Sequence, residues 1–398
     1  MTSAAVRRWR RVCCRGTGSL AFAVGSAVVP AAPAIALGPE VSAADQEYYS
    51  YYQLGSLHSQ GYNGEGTVIA MIDGHVNPNI PELAGATIEN KSPCTVRSLP
   101  DNADHGTAVA QVLVAPKFGV APGATLYTYD LGYSEEEVGA DCANPGVYAR
   151  GEADTSLLIE QAINDGADII SISSSYPMYN EDLRWAMARA ISQGVIVVAA
   201  MGNDSTEDPE DTLPLWSGIC GVGAIDTNGA LTEYSNWGNG VETVALGTIT
   251  VRSGTRGEVL TIQGTSFATP IVAGFLAIAW QRFDDDVTAN QILQAMTTTG
   301  KGSNGEWNYS TGFGAADPWG LLNAKAASLP DVNPCESKAY SSSPSWQDVE
   351  DYIDGTVNPL LMRNDDDYVY RGFNEEAAFS PDNDYPVHLG TSPRYHRD

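Results

Sequence analysis

The chain has 398 residues, with 49 acidic and 21 basic side chains and a formal charge of −28. That balance argues against a surface built to neutralise phosphates, and so excludes nucleic acid as a partner. With 43% hydrophobic residues and 40 glycines it can bury a sizeable core, which excludes global disorder and a collagen-like or coiled-coil fibre.

Arg7, Arg8, Arg10, Arg11 and Arg15 precede an uncharged, alanine-rich run from Leu20 to Leu37. A positive start, a short apolar stretch and the Ala34-Ile35-Ala36 box predict a signal peptide over 1–36, cleaved after Ala36. The competing reading is an uncleaved anchor, but Pro30 and Pro33 interrupt the run before the roughly 20 residues that a bilayer span needs. Cleavage would leave 49 acids and 16 bases, a charge of −33, on a chain with no later run of 18 uncharged apolar residues. A secreted, extracellular protein without a membrane span in its mature chain is therefore expected.

Cys13 and Cys14 fall in the leader, leaving Cys94, Cys142, Cys220 and Cys335 with three possible pairings. No CxxC or Cys/His cluster appears, so one or two disulfides are expected rather than a zinc site. Cys94 and Cys142 both lie in loop-like sequence and are paired first.

Residues 37–66 read as a tyrosine-rich N-terminal extension (Tyr48, Tyr49, Tyr51, Tyr52), too short to be a domain. From Thr67 on, apolar runs of strand length (Thr67 to Ile72, Ala124 to Asp130, Asp168 to Ser173, Val195 to Ala200, Ile219 to Ile225) alternate with helix-period segments such as Thr155 to Asn164 and Asp182 to Ser192. This pattern predicts an α/β fold, a doubly wound parallel sheet with helices on both faces. A nearly wholly apolar helix over Ser266 to Gln281 and an amphipathic one over Thr288 to Thr297 follow. The folded unit is expected to span 67–329. Residues 330–398 carry 14 acids against five bases, with the Asp365-Asp366-Asp367 run, and read as an acidic, largely disordered tail whose aromatics leave room for partial docking.

Three motifs carry reactive residues. Val68 to Asp73 is a buried strand ending in a carboxylate, His105-Gly106-Thr107 reads as the opening of a helix after a loop, and Gly264 to Pro270 is a glycine-punctuated turn entering the apolar helix. A serine hydroxyl needs an imidazole to take its proton and a carboxylate to hold the imidazole, and Asp73, His105 and Ser266 supply those groups. Parallel sheets place reactive residues at the carboxyl ends of strands, as for Asp73. A helix start would favour negative charge developing beside His105 and Ser266. Asn203, after the strand ending Met201-Gly202, could donate a hydrogen bond to a tetrahedral oxyanion. Taken singly, Asp73, Ser266 and Asn203 each have a plainer reading as a cap or turn residue.

The blocks GTSFATPIVAG, HGTAVA, GVAPGATL, VVAAMGN and VGAID occur in an order that resembles the subtilisin-like serine proteases, the subtilases, over roughly Gly55 to Ala327. The resemblance implies an endopeptidase domain over 67–329, acting through an acyl-enzyme, with Asp73 as orienting acid, His105 as general base, Ser266 as nucleophile and Asn203 as oxyanion donor. It implies a peptide or protein substrate, a monomer, and no cofactor required for the chemistry. Structural calcium is common in the family, but Asp204 to Asp211 lacks a calcium-loop spacing and reads as a solvated acidic surface, so no metal site is assigned.

Three features depart from the family. Asp73 is followed by Gly74 and His75, where a hydroxyl residue and glycine are usual; His75 reads as an exposed loop histidine or a second imidazole facing the cleft. Ser173, Ser174 and Ser175 stand where the substrate-pairing strand usually reads Ser-Leu-Gly, which would narrow the path for bulky side chains. About 30 residues precede the first strand where a longer inhibitory prodomain is usual. In this the chain resembles the mycosins, without their C-terminal membrane helix. The competing functional readings are a catalytically impaired binding or secretion-accessory protein and, less favoured, a serine esterase, whose Gly-x-Ser-x-Gly frame is missing around Ser266.

Overall fold

A computed structural model of the chain describes residues 40–134, 136–142, 154–174, 181–209, 212–283 and 287–335, and beyond these 338, 344–345 and 347–349. The leader assigned to 1–36, Ser175 and most of the acidic tail lie outside the described residues.

Strands whose two faces are both apolar must be covered on both sides. Seven parallel strands, the central ones of this kind and the edge strand β2 largely exposed, lie in the order β2 (Thr87–Asn90), β3 (Thr125–Asp130), β1 (Val68–Asp73), β4 (Ile169–Ile172), β5 (Ile196–Ala200), β6 (Ile219–Ile225) and β7 (Val241–Leu246). Alternation along each strand divides the core in two. Ile69, Met71, Ile196 and Val198 face a layer containing Val109, Val112, Ile271 and Phe275 from α3 (Pro100–Val114) and α6 (Thr265–Arg282). Ala70, Ile72, Val197 and Ala199 face Leu158 and Ile159 of α4 (Thr155–Asn164) and Leu183 and Met187 of α5 (Glu181–Ser192). From β1 the chain first fills the β2–β3 side and then the β4–β7 side. The turning point therefore opens at the carboxyl end of β1, where ligands collect in doubly wound sheets.

Several boundaries match the sequence pattern within a residue or two, including β6, α4 and α6. The antiparallel pair β8 (Thr248–Arg252) and β9 (Val259–Gln263) has no counterpart in the pattern, because half-exposed β9 lacks a continuous apolar run. The last helices are α7 (Ala289–Thr299), capped by Thr288, and α8 (Pro318–Asn323).

The N-terminal extension is part of the core. Its helices α1 (Glu47–Tyr51) and α2 (Leu54–Ser59) bury Tyr48, Leu54 and Leu57 completely. The Tyr48 hydroxyl donates to the Phe118 carbonyl at 3.0 Å, and the Tyr52 hydroxyl accepts the Leu246 N–H at 3.1 Å. Gln46 pairs with the backbone of Thr250 through both ends of its carboxamide, so it continues the hydrogen bonding of β8. Tyr48 and Tyr52 therefore supply an apolar body for the core and a polar tip for a backbone group.

At the other end, the boundary drawn at 330 falls within packed structure. Asp331 accepts from Thr288 Oγ1 and Asn290 Nδ2 at 2.6 and 2.9 Å, and Cys335 is fully buried. Cys94 and Cys142 are joined in a disulfide, the pairing placed first, and the loops it ties together also meet in the Val96–Val138 bridge.

Candidate active site

Asp73 is the last residue of β1 and is fully buried. Its Oδ1 accepts the Gly74 N–H at 2.6 Å and lies 2.8 Å from His105 Nδ1, with the Tyr133 hydroxyl at 3.4 Å. A carboxylate partner assigns the proton to Nδ1, which leaves Nε2 free to accept one. Oδ2 has no hydrogen-bond partner among the described residues, in keeping with glycine rather than a hydroxyl residue at position 74.

Two glycines set how closely α3 approaches this turn. A Cβ on Gly74 would stand 2.0 Å from the Asn102 carbonyl oxygen, and one on Gly106 would stand 1.9 Å from the Gly74 carbonyl oxygen. No side chain fits either position without moving backbone.

His105 does not open its helix, contrary to the reading of the motif. α3 begins at Pro100, which puts His105 in the second turn, where the helix-end field is weaker. The helix start is instead fixed by Glu137, which the motifs did not reveal. Its buried Oε1 accepts from the Leu99 N–H and from Asn102 Nδ2, both at 2.8 Å, so a carboxylate from a distant loop caps α3. Asp104 further pins the helix to the β8–β9 loop by accepting from Ser253 and Thr255. Both carboxylates are legible only in three dimensions.

Ser266 is the second residue of α6 and half-buried. The neighbouring Phe267 ring packs against His105 with centroids 5.6 Å apart, which brings the start of α6 to the imidazole. Asn203 follows β5, and its Oδ1 accepts both the N–H (2.9 Å) and the hydroxyl (3.2 Å) of Thr265. The Thr265 hydroxyl in turn accepts the Gly202 N–H at 3.0 Å. With Oδ1 held, the amide must present Nδ2 away from Thr265, and Nδ2 has no partner among the described residues. A Cβ at Gly264 would lie 3.4 Å from that nitrogen, which places it beside the turn preceding Ser266. Thr265 is a positioning residue that the sequence reading passed over.

Ser173 and Ser174 follow β4 and are buried, with hydroxyls that have no partner among the described residues; Ser175 is outside the described residues. His75 is half-exposed, with Nδ1 2.9 Å from Asp130 Oδ2. That hydrogen bond, against the opposing effect of partial burial, raises its pKa. The acidic stretch beginning at Asp204 is tied to protein donors, since Asn236 and Asn239 amides bond Asp204 and Asp208. No group of three or more potential metal ligands occurs among the described residues.

Burial alone would lower the pKa of His105, but the charge of Asp73 and its hydrogen bond more than offset this and raise it above 6.5. With His105 as the general base expected from the sequence, which must be neutral to accept a proton, kcat/KM is expected to fall as pH drops through this raised pKa. Asp73→Asn removes both raising effects. It is expected to move that acid limb downward while lowering kcat about 10⁴-fold; a pH–rate profile of both proteins reads the shift.

This arrangement, a parallel sheet with an Asp–His pair at its carboxyl edge and a serine at the start of a buried helix, defines a subtilisin-like serine protease fold. The sequence profile of the Subtilase family matches residues 64–314, and the chain belongs to that family. It is 28% identical to Subtilisin E of Bacillus subtilis (strain 168) over 286 residues, covering 68% of each chain. It is 30% identical to Subtilisin BL of Lederbergia lenta over 289 residues, covering 70% of this chain and 96% of that one. Among solved structures, MycP1 from Mycobacterium smegmatis superposes with a TM-score of 0.59 at 23% identity, covering 77% of this chain and 90% of that chain, a likeness of fold.

Proposed function

We propose that the protein is an exported serine endopeptidase in which Asp73 orients His105, His105 takes the proton of Ser266, and Asn203 stabilises the oxyanion. The observation that carries this reading is the 2.8 Å contact between buried Asp73 and His105, whose ring packs on the residue next to Ser266. Substrate lies extended across the carboxyl ends of the strands, with the backbone at 173–175 pairing with it. Ser266 Oγ attacks the carbonyl carbon, and its proton passes to His105 Nε2. The oxygen, now anionic, is held by Asn203 Nδ2 and the Ser266 N–H. His105 then gives the proton to the leaving amine, and water, activated by the same imidazole, releases the acyl group.

Export is supported by the basic and apolar pattern of residues 1–36. Among the described residues no helix is long and apolar enough to cross a membrane.

Peptide-library profiling of the purified protein tests the reading. Turnover is expected, with a preference for peptides rich in Lys and Arg that fades as salt rises, because 35 acids and 11 bases on residues 37–329 attract cationic substrates. A folded protein that cleaves nothing would instead support a binding or secretion-accessory role. Asn203→Ala is expected to lower kcat by about 10²–10³-fold, roughly 3–4 kcal/mol, with a small change in KM, measured by steady-state hydrolysis of a cleaved library peptide.

A further inference from the structure

Cys220 and Cys335 are both fully buried and both reduced in this structure. Cys220 sits near the start of β6, and Cys335 reaches it from the segment after α8. Both side chains lie in the same buried layer of the core, and the Cys220 thiol acts on the Cys335 thiol. The backbones are joined as well: the Gly218 N–H donates to the Cys335 carbonyl at 2.8 Å, and the Cys335 N–H is held by Asn333 Oδ1 at 2.9 Å.

The same segment seats a buried cation. Lys338 is 5% exposed, and its Nζ donates to the carbonyls of Pro214, Ile219 and Gly240 at 2.7, 2.6 and 3.1 Å while lying 3.2 Å from Glu242 Oε1. Its own carbonyl accepts from Ser217 Oγ at 3.0 Å. Burial pushes the Glu242 carboxyl up, against the lowering effect of Lys338. Loss of the lysine would leave three inward-facing carbonyls and a buried acid without their cation, so the segment has to stay seated.

We infer that Cys220 and Cys335 form a second disulfide, which fastens this C-terminal strap over the β6–β7 edge and keeps Lys338 in its cage. The bond forms by exchange with an external disulfide, either small or protein-borne. One cysteine thiolate attacks a sulfur of the donor and expels a thiolate. The other attacks the mixed disulfide and expels the second, so two cysteines are oxidised and one donor disulfide is reduced to two thiols. The hydrogen bond to Cys220 and burial together push the Cys335 thiol well above its usual range, which suppresses thiolate in the seated strap. Oxidation therefore belongs to folding, before the strap closes.

The inference rests on the reading of the chain as exported, since folding must meet an oxidant. In the test, the chain is exported under its own leader, purified, denatured in N-ethylmaleimide and digested without reduction for mass spectrometry. The expected result is a peptide pair joined through Cys220 and Cys335 beside the Cys94–Cys142 pair. Alkylated Cys220 and Cys335 with Cys94–Cys142 still joined would overturn the strap and leave export standing; alkylation at all four would overturn both. In the Cys220→Ala/Cys335→Ala variant, hydrogen exchange of β6 and β7 amides is expected to quicken about tenfold or more. Unchanged exchange would show that the bond does not hold this edge.

Discussion

Replacing Ser266 with alanine is expected to abolish labelling by a fluorophosphonate probe and to lower kcat about 10⁶-fold, with KM nearly unchanged. The hydroxyl is the group that forms the covalent bond, so its removal leaves only binding and oxyanion stabilisation to accelerate hydrolysis. Half-buried Ser266 lies in a helix whose neighbouring positions, Thr265 and Phe267, carry the contacts to Asn203 and His105. The alanine variant therefore keeps the fold and the rest of the site. Thermal unfolding within a degree or two of the parent would confirm that lost labelling is lost chemistry. Equal labelling of both proteins would remove Ser266 as the nucleophile.

Deleting residues 37–60 is expected to leave no folded protein, with loss of the cooperative thermal transition and of all activity. The stretch resembles a short prodomain by position only, because a removable segment should shield a site without completing the core. Here Tyr48, Leu54 and Leu57 are fully buried in the layer shared with α3 and α6. Removing a large buried apolar side chain costs roughly 2–5 kcal/mol, so losing these three is comparable to the whole 5–15 kcal/mol that stabilises a typical domain. Deletion would also strip partners from the backbone of Phe118, Leu246 and Thr250. A cooperatively folding truncated chain, checked by calorimetry, would contradict this placement.

The residues of the proposed triad were readable because each sits in a short local string whose neighbours serve it: Gly106 for helix approach, Gly264 for the turn, Asn203 directly after its strand. The central strands were readable because they are apolar on both faces. β2 and β9 were not, since edge position and partial exposure dilute the pattern. Glu137 was invisible for a different reason. Its capping of α3 depends on a loop brought in from more than thirty residues away, and a lone Glu in polar sequence carries no sign of the helix it will meet. The docking of Tyr48, Tyr52 and Lys338 likewise depends on backbone groups that exist as a set only after folding.

The interlock of Gly74 with Gly106 bears on how this protease could be re-engineered. Installing the serine or threonine that the family resemblance leads one to expect after the acid looks like a simple repair of Asp73 Oδ2, which has no partner among the described residues. Yet the new Cβ would collide with the Asn102 carbonyl, on the same helix that carries His105. Consensus repair at this position would displace the base in order to serve the acid, so any gain would have to come from a paired change that resets the α3 docking distance.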